Sequence, residues 1–133
     1  MATSSKVVRT YKDLDLNFTA HPVTGDVTRL YDENAIKRSI RNLLMTNNFE
    51  RPFHSEIGSQ IRAMLFEPVT PMMSGAIRRM IVDTITAFEP RVTLSDVSVT
   101  INPDNNAAYV SVVFTIVNTF SPIKLDVIIE RTR

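Results

Sequence analysis

Across Ala87-Phe88-Glu89-Pro90-Arg91-Val92 the apolar residues change their period, and that change constrains the fold more than any other feature of the chain. Before it, Met73, Ile77, Met80, Ile81, Thr84, Ile85 and Phe88 recur at three-and-four spacing, as on the buried face of an amphipathic helix. After it, Val97, Val99 and Ile101 alternate with Ser98 and Thr100, as in a strand with one face buried. Pro90 disfavours a helical conformation at Glu89, so the helix is expected to end there, with a carboxylate at the negative end of its dipole. An anion in that place typically loses about 0.3–1 kcal/mol unless a cation or donor answers it. A locally unfavourable residue at a structural junction marks a candidate functional or partner-binding site.

The flanking segments extend this division. Residues 1–6 read as a short polar arm. Leu14, Leu16 and Phe18, spaced two apart, read as a short strand or an extended segment pinned by alternate side chains, and Pro22 to Asp26 as a turn. Asp32 is expected to cap a helix over 34–44, with Ile36, Ile40, Leu43 and Leu44 on one face. Lys37, Arg38 and Arg41 lie mostly on the other side, as a solvated basic face or a contact for an acidic partner. A loop from Thr46 to Gly58 precedes a short helix over Gln60 to Phe66, stopped before Pro68. Thr70-Pro71 predicts the start of the long helix, which runs to about Phe88.

Beyond the junction, Asn102 to Asn106 is a turn, and Tyr109 to Val117 carries bulk on both faces, which predicts a central strand. In the last segment Ile123, Leu125, Val127 and Ile129 are expected to face inward, while Lys124, Asp126 and Glu130 are the charges of an exposed edge. Helices followed by an antiparallel meander predict an α+β fold: N-terminal helices packed on a small antiparallel sheet formed mainly by the C-terminal strands. At 133 residues the chain is the size of one domain, residues 1–133.

Composition removes most function classes. Fifteen basic and fourteen acidic residues leave a net charge of +1, so no field of one sign steers the chain to nucleic acid or an anionic membrane. The absence of cysteine removes disulfides, thiolate nucleophiles and zinc–thiolate sites together. No run is long and apolar enough to span a bilayer, and Met1 to Lys6 lacks an apolar signal core. His21 and His54 each sit in a proline-containing loop with no ligand at metal spacing, so no metal is expected. Glu33, Glu50, Glu56, Glu67 and Glu89 are scattered acids, not an evident glycosidase pair. Gly25, Gly58 and Gly75 are the only glycines and form no phosphate-cradling loop. No nucleophile elbow is present, and no catalytic residue or cofactor is expected. Residue chemistry by itself leads to an interaction domain.

The order of features adds a resemblance. An Asp13-Leu14-Asp15-Leu16-Asn17-Phe18 opening is followed by a helix ending Asn42-Leu43-Leu44-Met45-Thr46 and by the loop Glu50-Arg51-Pro52-Phe53. Gly58, Leu65-Phe66-Glu67-Pro68 and Phe88-Glu89-Pro90-Arg91-Val92 complete the series. Over nearly the whole chain this resembles the small baseplate wedge subunit of contractile-tailed (T-even-like) phages, related to the small sheath-initiator subunit of type VI secretion systems. The family commonly has glycine before its Glu-Arg-Pro-Phe segment, where this chain has Phe49, and the departure bears on the tightness of that turn.

The resemblance implies a non-enzymatic virion protein of the tail baseplate, assembled in the host cytoplasm with about six copies per baseplate. It implies that Glu89, Pro90 and Arg91 contact a helical core bundle of larger wedge proteins. It also implies that Ile123, Lys124, Leu125, Asp126, Val127, Ile128 and Ile129 accept a strand from the tail sheath subunit and so initiate the sheath. Physically, Pro90 stiffens a turn that presents a carboxylate and a guanidinium, expected at the surface with little ordering entropy left to lose. The competing reading is that Glu89 and Arg91 pair with each other or with Arg51, a surface bridge worth about 0–1 kcal/mol. Other functions sharing the fold are a type VI secretion subunit, a regulator that binds a protease adaptor, and a peptidoglycan hydrolase.

Overall fold

The computed structural model describes residues 10–117 and 119–131; the arm expected over residues 1–6 lies outside them. In chain order the elements are β1 (Lys12–Leu14), β2 (Arg29–Tyr31), α1 (Asp32–Met45), α2 (Ile61–Met64), α3 (Met73–Phe88), β3 (Val92–Asn102), β4 (Ala107–Ile116) and β5 (Pro122–Glu130). The fold is α+β, with helices in the N-terminal half and a three-stranded antiparallel sheet from the C-terminal strands. The helices cover one face of that sheet, and β1 and β2 form a separate antiparallel pair beside α1.

Periodicity explains the core. Ile36, Ile40 and Leu44 of α1 and Ile77, Ile81 and Ile85 of α3 are fully or almost fully buried. They meet Val110, Val112 and Phe114 of β4 and Val127 and Ile129 of β5 in one cluster. Each such side chain contributes about 1.5–3 kcal/mol through burial. The long helix starts later than Thr70-Pro71 predicts: the Thr70 carbonyl, not its hydroxyl, accepts the Met73 amide at 3.0 Å, and no side chain caps the helix.

Two N-terminal expectations are corrected. Asp32 does not cap α1; it sits at φ 42°, and its carboxylate accepts the Tyr11 amide at 2.8 Å, tethering the preceding chain instead. Leu14, Leu16 and Phe18 are not pinned in a core but exposed, and only Lys12 to Leu14 pairs as a strand.

The sheet order β3-β4-β5 makes β4 central and leaves β5 at an edge. Ser95 is an extra residue in β3, where the register shifts between Leu94 and Asp96 as a bulge. The face of β4 that carries Tyr109 and Val117 is open to solvent, so its bulk reflects no second layer among the described residues.

Candidate functional site

The helix-to-strand junction is built around a buried carboxylate. The last turn of α3 closes with the Glu89 amide donating to the Ile85 carbonyl at 2.9 Å, and β3 begins two residues after Pro90. Glu89 is only 3% exposed. Arg91 grips it with two nitrogens, Nε to Oε1 at 2.5 Å and Nη2 to Oε2 at 2.7 Å. From α1, the Ser39 hydroxyl donates to Oε2 at 2.6 Å. The acid at the unfavourable end of the helix is thus answered by a fork and a hydroxyl. The expectation of a surface-presented Glu89 is corrected: the carboxylate points inward because its partners, one of them on α1, lie there.

Burial by itself would push the Glu89 carboxyl up, but the Arg91 guanidinium, the Ser39 hydroxyl and the Arg91 amide together hold it below the usual value. The guanidinium pKa is raised in turn, chiefly by Glu89. Arg91 keeps 26% of its side chain exposed, and its guanidinium lies 5.5 Å from the Tyr11 ring centroid, within cation–π range. Among the described residues Nη1 has no acceptor, and Pro90 is exposed beside it. Arg51 takes no part in the pair.

Next to this cluster runs a groove of about 330 Å³ whose lining includes Ser39, Leu14, Leu16, Phe88, Arg38 and Arg51. Leu14, Leu16 and Phe88 are exposed, so the groove combines solvent-facing apolar walls with two cations, Arg38 and Arg51, and one carboxylate, Asp13. Arg38 is anchored by Asp15 at 3.1 Å. Ser39 is the site residue that the sequence reading missed. Its signal was available: it is a polar residue on the Ile36, Ile40, Leu43 side of α1, where a hydroxyl needs a partner.

The Phe49 turn is tight despite lacking glycine. Phe49 adopts φ 67°, its amide donates to the Ser55 carbonyl at 2.9 Å, and Glu50 accepts the Asn47 amide at 2.8 Å. Gly58 closes the loop at φ 142°, where an added Cβ would lie 2.8 Å from the Asn47 and Thr46 backbone. The histidines are locally engaged: His21 accepts from the Val23 and Thr24 amides, and His54 lies 3.3 Å from Glu56.

Comparison with known proteins decides the family. The model of the family described as baseplate wedge protein gp25 matches residues 31–120, from the start of α1 to beyond β4, with the Glu89 cluster inside. The chain belongs to the baseplate wedge protein gp25 family. It is 29% identical over 93 residues to the baseplate wedge protein gp25 of Enterobacteria phage T4, covering 70% of each chain.

Solved structures share the fold at 20% identity. A chain of the anti-feeding prophage baseplate matches with a TM-score of 0.63, covering 93% of this chain and 88% of that one. A chain of the postcontracted pyocin R2 baseplate matches at 0.56, covering 92% and 100%. A Geobacter sulfurreducens protein described as a candidate tail lysozyme matches at 0.66, covering 74% and 89%. Membership of the gp25 family gives the chain a structural role in a contractile-tail baseplate.

Proposed function

We propose that this baseplate protein acts as one domain that docks on a helical bundle of larger wedge proteins through the Arg91 face and initiates sheath assembly through β5. The observation that carries the docking half is the groove that reaches the Glu89–Arg91 pair through Ser39 and Phe88, with exposed Leu14, Leu16 and Phe88 beside Arg38, Arg51 and Asp13. An amphipathic helix with acidic flanks fits such a surface. Glu89 then holds the guanidinium, while Arg91 supplies its Nη1 and Pro90 the exposed turn. The site therefore divides into a buried positioning carboxylate and a cation at the partner's side.

The sheath half is supported by the position of β5 at a sheet edge, where Ile123 to Ile129 offer backbone groups for strand addition. The role is structural, not enzymatic. A glycosidase acid needs a raised pKa, whereas the shifts at Glu56 and Glu89 are downward. Glu33 is committed to Lys37 at 2.6 Å and Glu50 to the Asn47 amide. Six copies, one per wedge, sit in the virion's tail baseplate after assembly in the host cytoplasm.

Co-purification of the intact protein with wedge and sheath proteins encoded near its gene tests this. Stable capture of both is expected. Neighbouring genes for type VI secretion components, with capture of those instead, would move the protein to that machine; cell-wall turnover lost on carboxylate substitution would make it a hydrolase.

A further inference from the structure

The edge of β5 that is free among the described residues is overhung by a basic face of α1, and we propose that the strand it accepts is acidic on its helix-facing side. This deepens, and rests on, the reading of β5 as the acceptor edge. The register shows which backbone groups face outward. Arg131 donates its amide to the Asn106 carbonyl at 3.3 Å, so the 106–131 pair is hydrogen-bonded, and bonded pairs alternate along an antiparallel ladder. The odd residues Ile123, Leu125, Val127 and Ile129 therefore bond to β4. Lys124, Asp126, Ile128 and Glu130 turn their backbone N–H and C=O groups to the free edge.

Side chains of the odd residues point toward the helices, and Ile123, Val127 and Ile129 are buried there. Leu125 stays partly exposed because it lines a groove of about 300 Å³ shared with Lys37, Arg38 and Arg41 of α1. An incoming strand on this edge passes that groove, with an apolar side chain beside Leu125.

The charge around that position is unbalanced. Lys37, Arg38 and Arg41 face a single lining carboxylate, Asp15, which is engaged by Arg38 at 3.1 Å. Lys37 is held by Glu33 at 2.6 Å, but exposed Arg41 has no carboxylate partner among the described residues. On β5 itself Lys124 and Asp126 lie 3.4 Å apart on the other face and offset each other. Side chains two residues from the apolar one share its face, so a carboxylate there meets Arg41 and Lys37, while a basic residue is repelled. The partner this edge fits is an extended segment alternating outward residues with an apolar residue flanked by acids.

The test measures capture of the purified sheath subunit by the intact protein, by its Lys37→Glu/Arg41→Glu variant and by Ile128→Pro. Proline at 128 removes an outward amide without removing a β4 hydrogen bond, so folding is retained and strand addition is blocked. Ile128→Pro should abolish capture, and the double charge reversal should weaken it about tenfold at low salt, with the difference shrinking as salt rises. Amide exchange at Asp126 and Ile128 of the unmodified protein should slow on capture, a readout independent of how the proline variant folds. If the unmodified protein fails to capture sheath, or captures it without slowing those amides, strand addition and the acidic partner both fall. If the amides slow but the charge-reversed protein captures equally well, only the acidic partner is wrong.

Discussion

Arg91 and Glu89, two residues apart across a proline, form a two-nitrogen ion pair at 2.5 and 2.7 Å, with the carboxylate inside the protein and the guanidinium at its rim. The pair is neither a surface bridge nor a pair of presented charges. It joins the end of α3 and the start of β3 to α1 through Ser39, so one carboxylate ties three elements together.

Replacing Glu89 by alanine should therefore destabilise the isolated protein. Breaking a buried pair costs about 3–5 kcal/mol, and the lower end applies because Arg91 is partly exposed and can be rehydrated. A fall of about 10 °C in Tm, followed by circular dichroism, is expected.

The same cluster predicts an acid limit. The folded Glu89 carboxyl lies below its ordinary value of 4.5, so its contribution is complete above that value and is lost as pH falls through the folded one. Asp15 is also lowered, chiefly by the Asn17 amide, from its ordinary value of 3.8, so its contribution is lost at still lower pH. Glu89→Gln should lose stability at neutral pH yet show a shallower further loss below about pH 4.5 in urea melts.

Phe49→Gly should stabilise. Relief of a left-handed backbone at a residue with a Cβ gains roughly 1–2 kcal/mol, against about 0.5–1 kcal/mol for the extra freedom of glycine in the unfolded chain. Phe49 is 80% exposed, so little packing is lost, and a net gain of about 0.5–1 kcal/mol should appear in chemical denaturation.

What was legible in the sequence was local and periodic. The switch of period after Phe88 placed α3 against the sheet, and the two-sided bulk of Tyr109 to Val117 pointed to the centre of the sheet, although one of its faces is bare. What was not legible involves partners far apart in the chain. Glu89 meets Ser39 from fifty residues away, and Asp32 gives its carboxylate to Tyr11 instead of its own helix. Capping and dipole rules weigh only neighbouring residues, so the pairing of Glu89 with Arg91 was within reach, but the Ser39 hydroxyl from α1 and the burial that makes the pair internal were not. The Phe49 turn shows the converse: the backbone takes the conformation that favours glycine even where the side chain disfavours it.

The proposed role turns on contact between the wedge bundle and Arg91, held in place by Glu89. Its most direct test is the affinity of intact Arg91→Lys protein for the purified wedge complex, alongside its Tm and the affinity of Ser39→Ala. Lysine keeps the charge and one contact to Glu89 but loses the planar fork, so binding should weaken about tenfold or more while the protein stays folded. Ser39→Ala, which leaves the Arg91 fork intact, should bind within about threefold of the unmodified protein, since the hydroxyl supports the carboxylate and not the partner. Unchanged affinity of folded Arg91→Lys would rule out docking through Arg91 and leave the Glu89–Arg91 pair a purely internal brace.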